Sequence, residues 1–311
     1  MDRRTFLAAV GAGLVVRPHG ITAQTLLVPN SAGTNLPRLK APADAADCHM
    51  HIYDPARFPM VPNPRVPPSN ATLTEYKLLQ QRIGTTRVVV VTPRNYATQN
   101  AVTLDALAQL GPNARGVAVV RPTITNSELQ RFDNAGIRGI RFSLGDPATA
   151  VVTVDMVEPL AMRVAELGWH VQFNMPGDQI VERAALLRRL PTELVFDHLG
   201  SPALPAGVDH PSHKIIRELV DRGGAWVKLS GAYLNSTAGP PFYPEATRIA
   251  QAFVKAAPER LVWGSDWPHP TAPGGTPNDA LLFDLLSEWA PDESVRNRIL
   301  VENPAMLYGF S

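Results

Sequence analysis

From Ala46 onward the chain repeats one alternation eight times: a short apolar run of strand length, then a longer amphipathic stretch. The strand segments are residues 47–53, 87–92, 116–121, 139–142, 170–174, 194–198, 226–230 and 261–266. Helical periodicity fills the intervals at residues 73–83, 101–110, 128–135, 156–167, 180–190, 214–222, 246–257 and 280–289. Runs such as Val88-Val89-Val90-Val91 lack alternating polarity, as parallel strands covered on both faces do. Eight βα units without a duplicated segment or a composition break predict one α/β domain, a closed (β/α)8 TIM barrel spanning residues 46–311. An open dinucleotide-binding sheet would need a Gly-rich turn after the first strand. The chain instead has Tyr53-Asp-Pro-Ala-Arg-Phe-Pro59 there, and no phosphate-binding loop motif occurs.

Charge excludes further classes. The 29 Lys and Arg residues nearly balance 28 Asp and Glu. Removing residues 1–23, with Asp2, Arg3, Arg4 and Arg17, leaves 26 basic against 27 acidic groups. No basic stripe offers itself to phosphates, so a nucleic-acid partner is not expected. A single cysteine, Cys48, rules out an internal disulfide framework.

The first 23 residues read as an address. Arg3-Arg4 precede an apolar run at 6–16, and small or polar residues follow to Ala23. This is the order of an export signal with a twin-arginine start, and the run is too short to span a bilayer, which takes about 20 residues. The twin-arginine export machinery is thus an expected partner, the periplasm the expected location, and no membrane anchor is expected after cleavage. Residues 24–45 read as a Pro/Ala-rich leader.

Barrels of this class carry their chemistry at the carboxyl ends of the strands. Those ends supply His49, His51, Arg94, Arg121, Arg141, Asn174, His198, Lys228 and Asp266. On a strand His49 and His51 share a face, close enough to grip one oxygen or one metal ion, while Cys48 and Met50 should face the helices. Two core histidines with separate partners would be the plainer explanation. The strand frame, Asp47 before the pair and the Pro-rich loop after it favour a site. Asp266, ending an apolar strand, reads as a general base rather than a turn cap. Asp197 and His198, as strand neighbours, should point apart and do separate jobs. Arg141, Lys228 and Arg94 suit anion recognition, with solvated rim charges as the alternative. Pro122 turns Arg121 away. His170, at the start of its strand, reads as structural, and Asn303-Pro304 as a helix N-cap with proline in the first turn.

Taken together, Asp47-Cys-His-Met-His51, Gly139-Ile-Arg-Phe142, Asp197-His-Leu-Gly200, Trp263-Gly-Ser-Asp-Trp-Pro-His269 and Glu302-Asn-Pro-Ala-Met-Leu-Tyr308 resemble the amidohydrolase superfamily, in its amidohydrolase-2 branch of lactonases and decarboxylases. The resemblance runs from about Asp47 to Phe310. It implies hydrolysis of a small anionic lactone without a divalent metal: His49, His51 and His198 polarise the carbonyl, Asp266 activates water and Arg141 holds a substrate carboxylate. Lys228, Arg94 and Asn174 complete the expected substrate side. Metal-using relatives carry another histidine where this chain has Asn174, so no cofactor is expected, although His49, His51 and Asp266 alone would make a three-ligand zinc site. Ser201 and Asn174 stand where the lactonase pattern has arginine and tyrosine, so the resemblance carries over a carboxylated lactone, pyrone- or aldarolactone-like, and not one particular compound. Related chemistries are a metal-dependent hydrolase or decarboxylase and a lactone isomerase; a non-catalytic barrel capturing acids is the alternative of another class. Residues 58–70 read as a lid or as a rigid wall beside the mouth.

Overall fold

The structure is a computed structural model that describes residues 27–61, 70–146 and 150–311. The proposed export signal at residues 1–23, and residues 62–69 of the lid segment, lie outside the described residues. Eight parallel strands run in chain order around the sheet: β1 (Ala46–Met50), β2 (Arg87–Val91), β3 (Ala114–Ala118), β4 (Ile137–Ser143), β5 (His170–Asn174), β6 (Leu194–Phe196), β7 (Ala225–Leu229) and β8 (Leu261–Trp263). The helices are α1 (Leu73–Ile83), α2 (Ala101–Leu110), α3 (Asn126–Asn134), α4 (Val157–Ala165), α5 (Gly177–Glu182), α6 (Ala184–Arg189), α7 (Pro211–Asp221), α8 (Pro244–Ala256), α9 (Asp279–Trp289), α10 (Glu293–Asn297) and α11 (Asn303–Tyr308). This is the TIM barrel that the alternation predicts. Among the described residues no helix is long and apolar enough to cross a membrane.

The first and last strands meet just beyond the end of β8. Met50 bridges Trp267, and Asp266 N–H donates to the His49 carbonyl at 2.8 Å. Gly264 permits that approach, since a Cβ there would sit 2.6 Å from the His49 Cβ. Asp47 reinforces the seam: its carboxylate accepts from Ser265 N at 2.9 Å, Ser265 Oγ at 2.6 Å and the Tyr76 hydroxyl of α1 at 3.0 Å. At the other end Leu307, Tyr308 and Phe310 join Val89, Val91, Val117, Val195 and Val262 in an inner apolar cluster and stopper the barrel. The leader lies against the body, where Arg82 donates to Ser31 Oγ and the Trp267 indole to the Pro29 carbonyl.

Several local readings are corrected by the backbone. A bulge between Asp47 and Met50 puts an extra residue into β1, so Cys48 joins the inner cluster while Met50 packs outside as expected. β3 ends at Ala118, three residues before Arg121, whose exposed guanidinium bonds the Val151 carbonyl. Asn303 is no N-cap: its backbone is helical, continuous with the preceding turn, and its amide donates to the carbonyls of Pro258 and Leu261 at 2.8 and 2.7 Å. That bond anchors α11 to the base of β8.

Candidate active site

Four side chains from three places in the sequence converge at the barrel mouth. β1 delivers His49 and His51, whose Nε2 atoms are 3.3 Å apart. Asp266 arrives from the loop after β8, with Oδ1 3.5 Å from each of those nitrogens and 3.9 Å from His198 Nε2. Both Asp266 and His198 hold left-handed backbone, at φ 62° and 48°, which costs a non-glycine residue roughly 1–2 kcal/mol each. Strain at these two positions is what turns the side chains inward once β8 and β6 have ended.

Each imidazole has its far nitrogen tied. His51 Nδ1 lies 2.8 Å from the Val91 carbonyl, which requires the proton on Nδ1 and turns Nε2 to the site. His49 Nδ1 lies 3.2 Å from Asp197 Oδ1, and His198 Nδ1 3.0 Å from Ser230 Oγ. Burial lowers His49 and His198 below the ordinary histidine range, against the pull of Asp197 on the first and Asp266 on the second. Burial pushes Asp266 the other way, but His198, His51 and His49 together hold it well below the usual carboxylate range.

Beneath this layer lies a polar floor. Asp197 accepts from Arg141 Nε at 2.9 Å and Gln172 Nε2 at 3.1 Å. Burial raises the Asp197 carboxyl, yet His49, Arg141 and Lys228 outweigh it and keep the group ionised. Lys228 belongs to this floor and not to the expected substrate side. It is fully buried, its Nζ donates to Cys48 O and Gln172 Oε1 at 2.8 Å each, and it stands 3.3 Å from His49 Nδ1. Its face was legible from strand periodicity, but its depth was not: the residue lies below the mouth. The Asp197–His198 pair also departs from expectation. β6 stops at Phe196, so strand alternation no longer applies, and both residues turn toward His49 with Asp197 below it and His198 beside the pocket.

Above the histidines opens a small pocket of about 40 Å³, lined by His51, Tyr53, Arg94, Arg141, Asn174 and His198, with Asp266 at its base. Three of the four residues expected on the substrate side, Arg94, Arg141 and Asn174, are therefore brought together with the catalytic candidates. Burial and the nearby Arg141 lower Arg94 from its ordinary value, which marks two guanidiniums sharing one cavity. Sequence reasoning missed Tyr233 and His269. Tyr233 donates to Asp266 Oδ2 at 2.6 Å and stands 3.0 Å from His269 Nδ1. The closing His of the Trp-Pro-His269 motif was the available signal.

The donor set also suits a divalent cation. Ligands at about 2.0–2.1 Å in a tetrahedral site stand roughly 3.3 Å apart, close to the spacing of His49 Nε2, His51 Nε2 and Asp266 Oδ1. The far atoms of His51 and Asp266 carry outer hydrogen bonds of the kind that orient metal ligands, and His49 Nδ1 lies against the Asp197 carboxylate.

Residues 46–310 match the family model described as Amidohydrolase. The chain belongs to the amidohydrolase family. It is 32% identical to a 2-pyrone-4,6-dicarboxylate hydrolase of Comamonas testosteroni, over 89% of this chain and 94% of that protein. It is 33% identical to a 4-sulfomuconolactone hydrolase of Rhizobium radiobacter, over 86% and 91%, and 31% identical to a D-galactarolactone isomerase of Agrobacterium fabrum, over 92% and 97%. Among solved structures, an apo crystal structure of an Agrobacterium tumefaciens protein superposes with a TM-score of 0.81 at 30% identity, covering 91% of this chain and 99% of that one. The chain is an enzyme of this family, and the named relatives are hydrolases and an isomerase, two of them named for lactones.

Proposed function

We propose that the chain hydrolyses a small lactone bearing at least one carboxylate. The observation that carries this reading is the approach of Asp266 Oδ1 to His49, His51 and His198 at the base of a pocket walled by Arg94 and Arg141. In this reading Arg141 and Arg94 bind the substrate anion, with the Asn174 amide beside them, and the ring carbonyl rests among the imidazoles. Asp266 takes a proton from water as the water oxygen attacks the carbonyl carbon. Its proton affinity rises as negative charge develops on the attacked oxygen nearby, so a carboxylate ionised at rest becomes a sufficient base at the moment of attack. The carbonyl oxygen gathers charge against His198, whose Nε2–H can donate when Nδ1 accepts from Ser230 Oγ. The ring C–O bond then breaks, the leaving oxygen takes the proton from Asp266, and the product is a hydroxy or keto acid. A well-placed donor to such an oxyanion contributes about 3 kcal/mol.

A metal-dependent version is favoured by one observation, the close approach of one ligand atom each from His49, His51 and Asp266. An ion held by those three would supply Lewis-acid polarisation of the carbonyl and a more acidic water. Proton release from a panel of carboxylated lactones, with and without chelator, tests both versions. The native protein is expected to acidify a weakly buffered solution, and Asp266→Asn to lose at least about 10³-fold in rate while still binding the lactone. Undiminished hydrolysis by that variant overturns the base assignment. A change of ring size without acid release identifies an isomerase, and stoichiometric binding alone a capture protein. The same proposal includes export: Arg3 and Arg4 replaced by lysine are expected to leave the enzyme in the cytoplasmic fraction.

A further inference from the structure

Behind Asp266 runs a buried file of polar groups that the hydrolysis above leaves unused. Asp279 Oδ2 stands 3.0 Å from His269 Nε2, His269 Nδ1 3.0 Å from the Tyr233 hydroxyl, and that hydroxyl donates to Asp266 Oδ2 at 2.6 Å. The members come from three elements: a short turn after β7 at Ala232–Leu234, the loop after β8, and the first residue of α9. All four are buried, from 0% exposure for Asp279 to 6% for Tyr233. His269 takes left-handed backbone at φ 62°, held by its N–H to the Asp266 carbonyl at 2.7 Å.

A desolvated ionic file adds little stability over an apolar packing of the same volume, so its yield is sought in geometry. The carboxylate torsion of an aspartate is broad and nearly two-fold. Free to turn, Asp266 would present either oxygen, or neither, to the attacking water. With Oδ2 engaged by Tyr233, Oδ1 is the atom left facing His49, His51 and the pocket. We infer that Tyr233, anchored by His269 and Asp279, is a positioning residue that fixes the Asp266 carboxylate so that only Oδ1 meets the attacking water. This inference rests on Asp266 acting as the water-activating base.

Steady-state kinetics on a lactone turned over in the panel test it. Tyr233→Phe keeps the ring and deletes the hydroxyl, and is expected to lower kcat about 10- to 100-fold with KM changed less than twofold. His269→Asn, whose side chain tolerates the left-handed backbone, cuts the link to Asp279 and is expected to lower kcat by less. Because both act through one carboxylate, the double variant is expected to fall no further than Tyr233→Phe alone. A Tyr233→Phe enzyme with full kcat, or losses that multiply in the double variant, overturns the inference. Should Tyr233→Phe fail to fold, unchanged kcat in His269→Asn refutes it equally. Full activity in these variants beside an inactive Asp266→Asn refutes the positioning role and leaves the hydrolase reading standing. An active Asp266→Asn sinks that reading, and the inference with it.

Discussion

His170 offers the best-defined test of the electrostatics beneath the site. It opens β5, lies edge-on to the Tyr308 ring at 5.3 Å, and neither ring nitrogen has a hydrogen-bond partner among the described residues. Burial, aided by the charge of Lys228, lowers it from the ordinary histidine value of 6.5 to about 3, against the pull of Asp197. The sign follows from proton counting. Between pH 6.5 and about 3 the unfolded chain binds a proton on this residue and the folded chain does not, so acid favours unfolding there. At about 1.36 kcal/mol per unit, the residue removes nearly 5 kcal/mol of stability across the window, about 2 kcal/mol of it by pH 5, and almost none at pH 7. His170→Leu, similar in volume, deletes both orphaned nitrogens and the titration. Urea unfolding followed by circular dichroism should show the variant at least as stable as the parent at pH 7. Its advantage should then widen by about 2 kcal/mol at pH 5. Parallel pH dependence of the two proteins over that interval would refute the reasoning, because a solvated or hydrogen-bonded His170 has no proton deficit to relieve.

Other outcomes follow from the floor and walls of the site. Asp197→Asn strips the counter-charge from buried Arg141 and Lys228 and is expected to cost about 3–5 kcal/mol in the same unfolding assay, a loss below 1 kcal/mol contradicting the network. Arg94→Gln removes one charge-assisted contact worth about 1.5–3 kcal/mol, so KM for a carboxylated lactone should rise roughly 10- to 150-fold with kcat little changed, while an uncharged lactone is unaffected. Protein stripped of ions and titrated with Zn²⁺ is expected to take up one equivalent if His49, His51 and Asp266 act as ligands. Uptake that survives His51→Asn would show that the ion binds elsewhere.

How far the sequence carries depends on what each residue's position obeys. α1, α2 and β5 occupy the residues their periodicity predicts, because the burial pattern, and in α1 the capping as well, agrees with it locally. Thr72 and Glu75, for instance, form a reciprocal cap that starts α1 where its apolar period begins. The convergence of His49, His51, His198 and Asp266 was also legible, since strand order and strand ends fix who meets at the mouth. What periodicity could not supply is whatever occurs after a strand has ended. His198, Asp266 and His269 are aimed by left-handed backbone, which no alternation rule describes. The depth of Lys228 depends on barrel stagger, and the inward turn of Cys48 on a bulge. Tyr233 lies in a turn with no regular pattern, and only its hydroxyl contact with Asp266 marks it as part of the site.

The seam between β1 and the residues after β8 has a consequence for how the enzyme comes into being. His49 and His51 lie near the first strand synthesised, Asp266 just past the last, and they are drawn together by the hydrogen bonds that shut the cylinder. On the proposed mechanism a nascent chain still short of residue 266 owns no partial catalyst, and a fluctuation that parts the seam is expected to silence turnover while most of the helices remain in place.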